Sequence, residues 1–204
     1  MKSKASSLFK TTIVAATLSI LFAMAAVVAQ ADTWNLDPVH SSITFSARHM
    51  MISDVKGQFD KFSGTITIDG SDPSTAKIDV TIDASSVDTH SDKRDMHLRS
   101  PDFLDATKYP TITFKSTKIE PAGSNWKVTG DLTLHGVTKP VVLDVTGPSA
   151  QIMMMGAPRR GASATTKIDR QAFGVSFNKT LDSGGLVVGN EIPISIEVEA
   201  VKAK

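Results

Sequence analysis

Near the C-terminus, Ile192, Ile194, Ile196, Val198 and Ala200 alternate with Pro193, Ser195, Glu197 and Glu199. Successive side chains of a strand point to opposite faces, so this period of two specifies a strand with one buried and one solvated face. The pattern recurs along the chain. Ile43, Phe45 and Ala47 alternate with Ser42, Thr44, Ser46 and Arg48, and residues 64–69 alternate after them. Ile78, Val80, Ile82 and Ala84 are set against Asp79, Thr81 and Asp83. Ile112 and Phe114 alternate with Thr111, Thr113 and Lys115, and Trp126, Val128, Leu132 and Leu134 share one parity. A chain patterned this way buries one face of each strand against other strands and leaves little room for a helical core.

Turn signals separate the runs: Asp69-Gly70-Ser71-Asp72-Pro73, Pro121-Ala122-Gly123, His135-Gly136, Gly147-Pro148 and Asp182-Ser183-Gly184-Gly185. Their short, regular spacing predicts seven or eight antiparallel strands in one all-β domain, either a sandwich or a closed barrel. Residues 88–109 break the pattern. Asp95 and Arg99 stand four apart, as a helical ion pair would. Ser100-Pro101 reads as an N-cap followed by proline at the first helical position, opening a second turn with Phe103 and Leu104. Tyr109-Pro110 ends the excursion.

The N-terminus is different. Lys2, Lys4 and Lys10 precede an apolar run of about 17 residues, Ile13 to Ala29, at the lower limit for crossing a bilayer. The run closes on Ala29-Gln30-Ala31. A basic start, an apolar core and small residues before a cut predict a cleaved secretory signal over residues 1–31, leaving 32–204 as the exported domain. The whole chain carries a formal charge of +1. Residues 1–31 hold three lysines and no acid, so the remainder has 19 basic and 21 acidic groups and a charge of −2. That charge argues against nucleic acid as a partner. The chain has no cysteine, which excludes disulfides and thiolate metal sites.

Catalytic signatures are missing: there is no G-x-S-x-G, no H-E-x-x-H and no phosphate-binding loop. His40, His49, His90, His97 and His135 supply metal-ligand chemistry, and His90 and His97 lie two helical turns apart, but no third ligand is fixed. No metal is therefore expected. Asp92, Asp95, Asp102 and Asp105 fall where a helix shows its solvated face. Met153-Met154-Met155 reads as a core strand with adaptable packing, or as a soft wall against a lipid chain. Arg159-Arg160 reads as a solvated loop, or as a partner for an anionic head group.

Four stretches carry a family resemblance: WNLDPVHSSITF (34–45), VKGQFDKFSG (55–64), RDMHLRSPDFLDA (94–106) continuing into YPTITFKS (109–116), and GDLTLHGVTKPV (130–141). Arg170, Phe173 and Gly174 fit the same pattern. Together they resemble the YceI-like family of exported polyisoprenoid-binding proteins. The resemblance implies an eight-stranded, lipocalin-like extended antiparallel β-barrel with a short helical insert around residues 89–106. It also implies a periplasmic, non-enzymatic role: holding an isoprenoid quinone or polyprenyl phosphate for transport or storage, with no cofactor required beyond the bound lipid. Transient membrane contact and a homodimer are further expectations. An enzyme of such lipids using His97 and a nearby aspartate, or a partner module of a membrane redox complex, are the alternatives.

On that barrel, parity nominates a tail-lining set: Phe45, Val80, Ile82, Ile112, Phe114, Val128, Leu132, Ile194 and Ile196, with Phe103, Met153 and Met155 added. Arg94, His97, Arg99 and Ser100, in the insert, are the head-group candidates, as donors for a carbonyl or a phosphate.

Overall fold

The computed structural model describes residues 31–69, 72–182 and 184–204. The export signal expected over residues 1–31 lies, except for Ala31, outside the described residues. In chain order the strands are β1 (Asp32–Leu36), β2 (Ser42–His49), β3 (Ser53–Phe59), β4 (Phe62–Ile68), β5 (Lys77–Asp83) and β6 (Val87–Asp88). Helix α1 (Asp92–Arg99) follows, then β7 (Thr111–Ala122), β8 (Asn125–Leu134), β9 (Val137–Thr146), β10 (Ile152–Met154), β11 (Ala157–Asp169) and β12 (Glu191–Lys202).

Eight of these strands close a ring in the order β11, β9, β8, β7, β5, β4, β1, β12 and back to β11, every neighbour antiparallel. The barrel expectation is therefore met and the sandwich is excluded. Strand β12 makes closure work. One edge pairs with β11 along its length, from Asp169↔Glu191 to Arg159↔Val201. The other edge is shared: its first half takes β2 (Ile194↔Phe45) and its last residues take β1 (Leu36↔Ala200). Strands β2, β3 and β6 thus extend the wall past the ring at one end.

The parity read from the sequence becomes the inside of this wall. Ile82, Ile112, Leu134, Ile168 and Phe173 form a core cluster at the end that carries the helical insert. Trp34, Ile68 and Ala200 form a smaller cluster at the far end. A bulge in β7 between Ser116 and Lys118 breaks the register once. One extra residue inverts which parity faces inward, so Ile119 joins the interior although Ile112 and Phe114 are on even positions.

The insert differs from its sequence reading in three respects. Asp95 and Arg99 do not form the expected ion pair. Asp95 is 4% exposed, not on a solvated face, and accepts from the Thr89 amide (2.9 Å) and hydroxyl. Arg99 Nη2 instead donates to the Val87 carbonyl at 2.7 Å. Ser100 closes α1 rather than opening a second helix: its hydroxyl donates to the His97 carbonyl, and its carbonyl takes the Phe103 and Asp105 amides in a run of tight turns. His90 precedes α1 with φ 59°, so it shares no helical face with His97.

Glycines sit where rings cross the wall. A Cβ on Gly130 would meet the Phe114 ring and the Lys115 carbonyl oxygen, the latter at 2.6 Å. Gly130→Ala is expected to lower stability by about 1–3 kcal/mol through overpacking, measured by urea denaturation.

Candidate ligand-binding site

Inside the ring lies an elongated cavity of about 280 Å³, close to the low end of the roughly 300–1,000 Å³ typical of ligand pockets. Its wall is apolar on nearly every strand. Phe45, Val80, Ile82, Ile112 and Phe114 line it, as do Leu132, Ile194 and Ile196. Phe103 closes the helical end together with Leu98 and Leu104, and is buried edge-on against the His97 ring and tilted against the Phe177 ring. These nine nominated residues converge on one cavity.

Three lining candidates are placed elsewhere. Val128 faces inward but lines a second cavity of about 100 Å³ at the far end, with Trp34, Trp126 and Ile119. The two cavities share Ile66, Ile78, Val145, Ala162 and Val198, so they are successive chambers of one interior. Met153 and Met155 line neither and are 66% and 91% exposed. They belong to the β10–β11 hairpin, paired Met154↔Ala157 and turned at Met155 (φ 51°) and Gly156 (φ 77°). Among the described residues, strand β10 pairs with β11 alone, and its Ile152, Met153 and Met154 side chains are exposed.

The sequence reading missed the residues that make the space. On β11, Ala162, Ala164 and Thr166 face the cavity, opposite the long side chains of other strands. Small and polar residues at alternate positions give no hydropathy signal, yet their missing volume is the chamber. On β9, Val141, Leu143 and Val145 line the wall. Their alternation with Pro140, Val142 and Asp144 was legible in the sequence.

The four head-group candidates are committed to the insert itself. Arg94 donates from Nε to the Thr89 hydroxyl (2.6 Å) and from Nη2 to the Thr89 carbonyl (2.7 Å). His97 Nε2 bonds Asp102 at 2.8 Å, Ser100 caps α1, and Arg99 holds Val87. None of the four lines either chamber. Burial pushes the Asp95 carboxyl up, but the Thr89 hydrogen bonds and the Arg99 charge overcome it and hold the group below the usual carboxylate range. Arg99→Glu would place a second negative charge beside this carboxylate and release the Val87 carbonyl. It is expected to destabilise the fold by about 2–4 kcal/mol in thermal or denaturant unfolding.

Arg170 also belongs to the cavity wall and is 4% exposed. Burial pushes its guanidinium below the usual arginine value, with Asp169 opposing. It donates to the carbonyls of Val175 (2.7 Å), Gly189 (2.9 Å) and Val188 (3.2 Å) and to Asn190 Oδ1 (3.3 Å). It ties the 175–190 loop to the end of β11. Gly174 follows with φ 80°, against the His135 ring.

Asp37, His40 and Glu199 come together as metal ligands would. A cation already occupies the place: Arg159 Nη1 bonds Asp37 Oδ2 at 2.7 Å and also Glu199. His40 Nδ1 lies 2.9 Å from the same Asp37 oxygen. Arg159, then His40, hold the Asp37 carboxyl well below the usual range against a smaller effect of burial.

Residues 34–200 match the YceI-like domain family. The chain is a member of that family. It is 38% identical over 186 residues to Protein YceI of Shigella flexneri, covering 91% of this chain and 94% of that protein, and equally to Protein YceI of Escherichia coli O17:K52:H18. The YceI structure of Campylobacter jejuni superposes with a TM-score of 0.66 at 36% identity, covering 76% of this chain and 90% of that one. Burkholderia cenocepacia BcnA gives 0.69 at 27% identity, covering 80% and 98%. A polyisoprenoid binding domain from Saccharophagus degradans gives 0.61 at 18% identity, covering 83% and 98%, a likeness of fold.

The lowered Asp37 value predicts a pH dependence for this YceI-like barrel. The folded carboxyl titrates below its unfolded value of about 3.9, so its contribution to stability is full above about pH 5 and is lost as pH falls through and below that value. Asp37→Asn is expected to be less stable at pH 7 and to show a flatter decline between about pH 5 and pH 2, followed by denaturant unfolding across that range.

Proposed function

We propose that this protein holds one long-chain isoprenoid lipid, its tail in the barrel interior, and carries or stores it in the periplasm. The observation that carries this reading is the continuous apolar interior: two chambers sharing five residues, walled by aliphatic and phenyl side chains and bounded by β11's small residues. An eight-stranded barrel has room for a single slender ligand. Burying an apolar chain there is worth about 0.8 kcal/mol per CH₂, enough to make a water-insoluble tail mobile in an aqueous compartment. Family membership agrees with this reading, as does the fold shared with a structure described as a polyisoprenoid binding domain.

Export through the N-terminal signal would place the barrel between membranes. The exposed apolar hairpin Met153–Met155 offers a surface for transient membrane contact. The reading needs no further cofactor. An enzymatic role for His97 gains no support from its position, because that ring is engaged with Asp102 and lies outside both chambers.

Organic extraction of the purified protein followed by mass spectrometry is expected to give a polyprenyl lipid at near-stoichiometric yield. Ala164→Phe puts a ring into the chamber and is expected to cut that yield at least severalfold while the variant stays folded. A fatty acid, or no lipid, in the wild-type extract overturns the reading.

A further inference from the structure

The arginines Arg160 and Arg170 line the chambers and Asp95 is buried at the helical insert, and the three are answered differently. Arg170 is met by three carbonyls and Asn190. Asp95 is met by Thr89. Arg160 has no such partner among the described residues. It sits on β11 opposite Ala200, on the inward parity with Ala162 and Ala164, and lines the far chamber. Its Cζ lies over the Trp34 ring, 5.2 Å from the centroid, and its Nε is buried with no acceptor. The nearby carboxylates Asp37 and Glu199 are both taken by its neighbour Arg159, on the outward parity.

Arg99 Nε also lacks an acceptor, but the Arg99 charge acts on Asp83 and Asp95, and the residue lies outside both chambers. A ring beneath a guanidinium attracts the cation and accepts none of the fork's in-plane N–H bonds. Half-buried, Arg160 therefore retains donors and a charge at the margin of the far chamber, whose lining is apolar. A guanidinium fork in that setting suits a phosphate or carboxylate, held by paired charge-assisted hydrogen bonds.

We propose that Arg160, backed by Trp34, binds the anionic head of the amphiphile whose tail fills the barrel, so that the head sits at the far end and not at the helical insert. This rests on the lipid-holding reading and adds the head-group class and its direction. It selects a polyprenyl phosphate or similar anion over a neutral polyprenol or quinone. The chain would enter the helical-end chamber through the stretch bounded by Ile66, Ile78, Val145, Ala162 and Val198.

Calorimetric titration of the delipidated full barrel with farnesol and farnesyl phosphate tests it. Wild type is expected to bind farnesyl phosphate at least tenfold more tightly. Arg160→Gln is expected to abolish that preference while leaving farnesol affinity within about twofold. Arg160→Lys, which keeps a charge without the fork, is expected to retain a reduced preference, and it carries the test if Arg160→Gln does not fold. Equal binding of the two probes by wild type overturns the proposal and leaves the lipid-holding reading intact. So does an undiminished preference in the folded Arg160 variants, or one lost in Arg94→Gln instead. Failure of wild type to bind either probe overturns both. Inorganic phosphate alone matching farnesyl phosphate would make this a free-anion site and overturn the assignment to an amphiphile.

Discussion

The ladder between β11 and β12 is the constraint on which the rest of the molecule depends. It closes the ring, and closure pairs each of the eight ring strands on both sides instead of leaving an edge there to pair with other chains. Closure also turns a simple alternation into an inside and an outside, because every strand must present the same parity to the axis. Strand β12 supplies the large aliphatic side chains, and β11 opposes them with alanines and a threonine. A barrel with bulky residues on both strands would pack solid. This one is left with an elongated chamber because one strand contributes almost no volume.

A hollow apolar interior makes every charged group near it costly, so each has an identifiable role. The buried cation Arg170 is compensated by carbonyl dipoles, and it fixes the long connection between β11 and β12. Asp95 and Arg94 both converge on Thr89 and anchor α1 against β6. Arg159 bridges two carboxylates, Asp37 and Glu199, across the outer wall. Two of these three polar networks are complete, in that each buried charge meets hydrogen-bonding partners suited to it; Arg159 keeps one buried Nε without an acceptor. Arg160, against an aromatic face and an apolar cavity, is the chamber-lining cation that departs from that rule, and the proposed anionic head would complete it.

Much of the architecture was legible because strands with one buried face announce themselves. Phe45, Val80, Ile112, Phe114, Leu132 and Ile194 were placed on the wall by parity alone, and they are there. The β7 bulge was not legible, since a one-residue insertion leaves no hydropathy mark until its partner strand is known. The methionine run failed for a related reason. Parity states which residues share a face but not whether anything covers that face, and among the described residues β10 pairs with β11 alone. The head-group candidates in the insert are engaged locally, because polar side chains in a short helix packed on a barrel are used to satisfy that helix. Arg99 is drawn to Val87, and Ser100 to the end of α1.

By itself, the sequence determined an all-β chain with one apolar face per strand, one helical interruption and no disulfide chemistry, because alternation and turn residues act locally. Only the tertiary structure decided that the strands close, that the interior is hollow at β11 and divided into two chambers, and that Arg159 is spent on Asp37 and Glu199 while Arg160 is not. Those outcomes depend on which residues face each other across the ring. That is set by register and closure, and no local pattern encodes it.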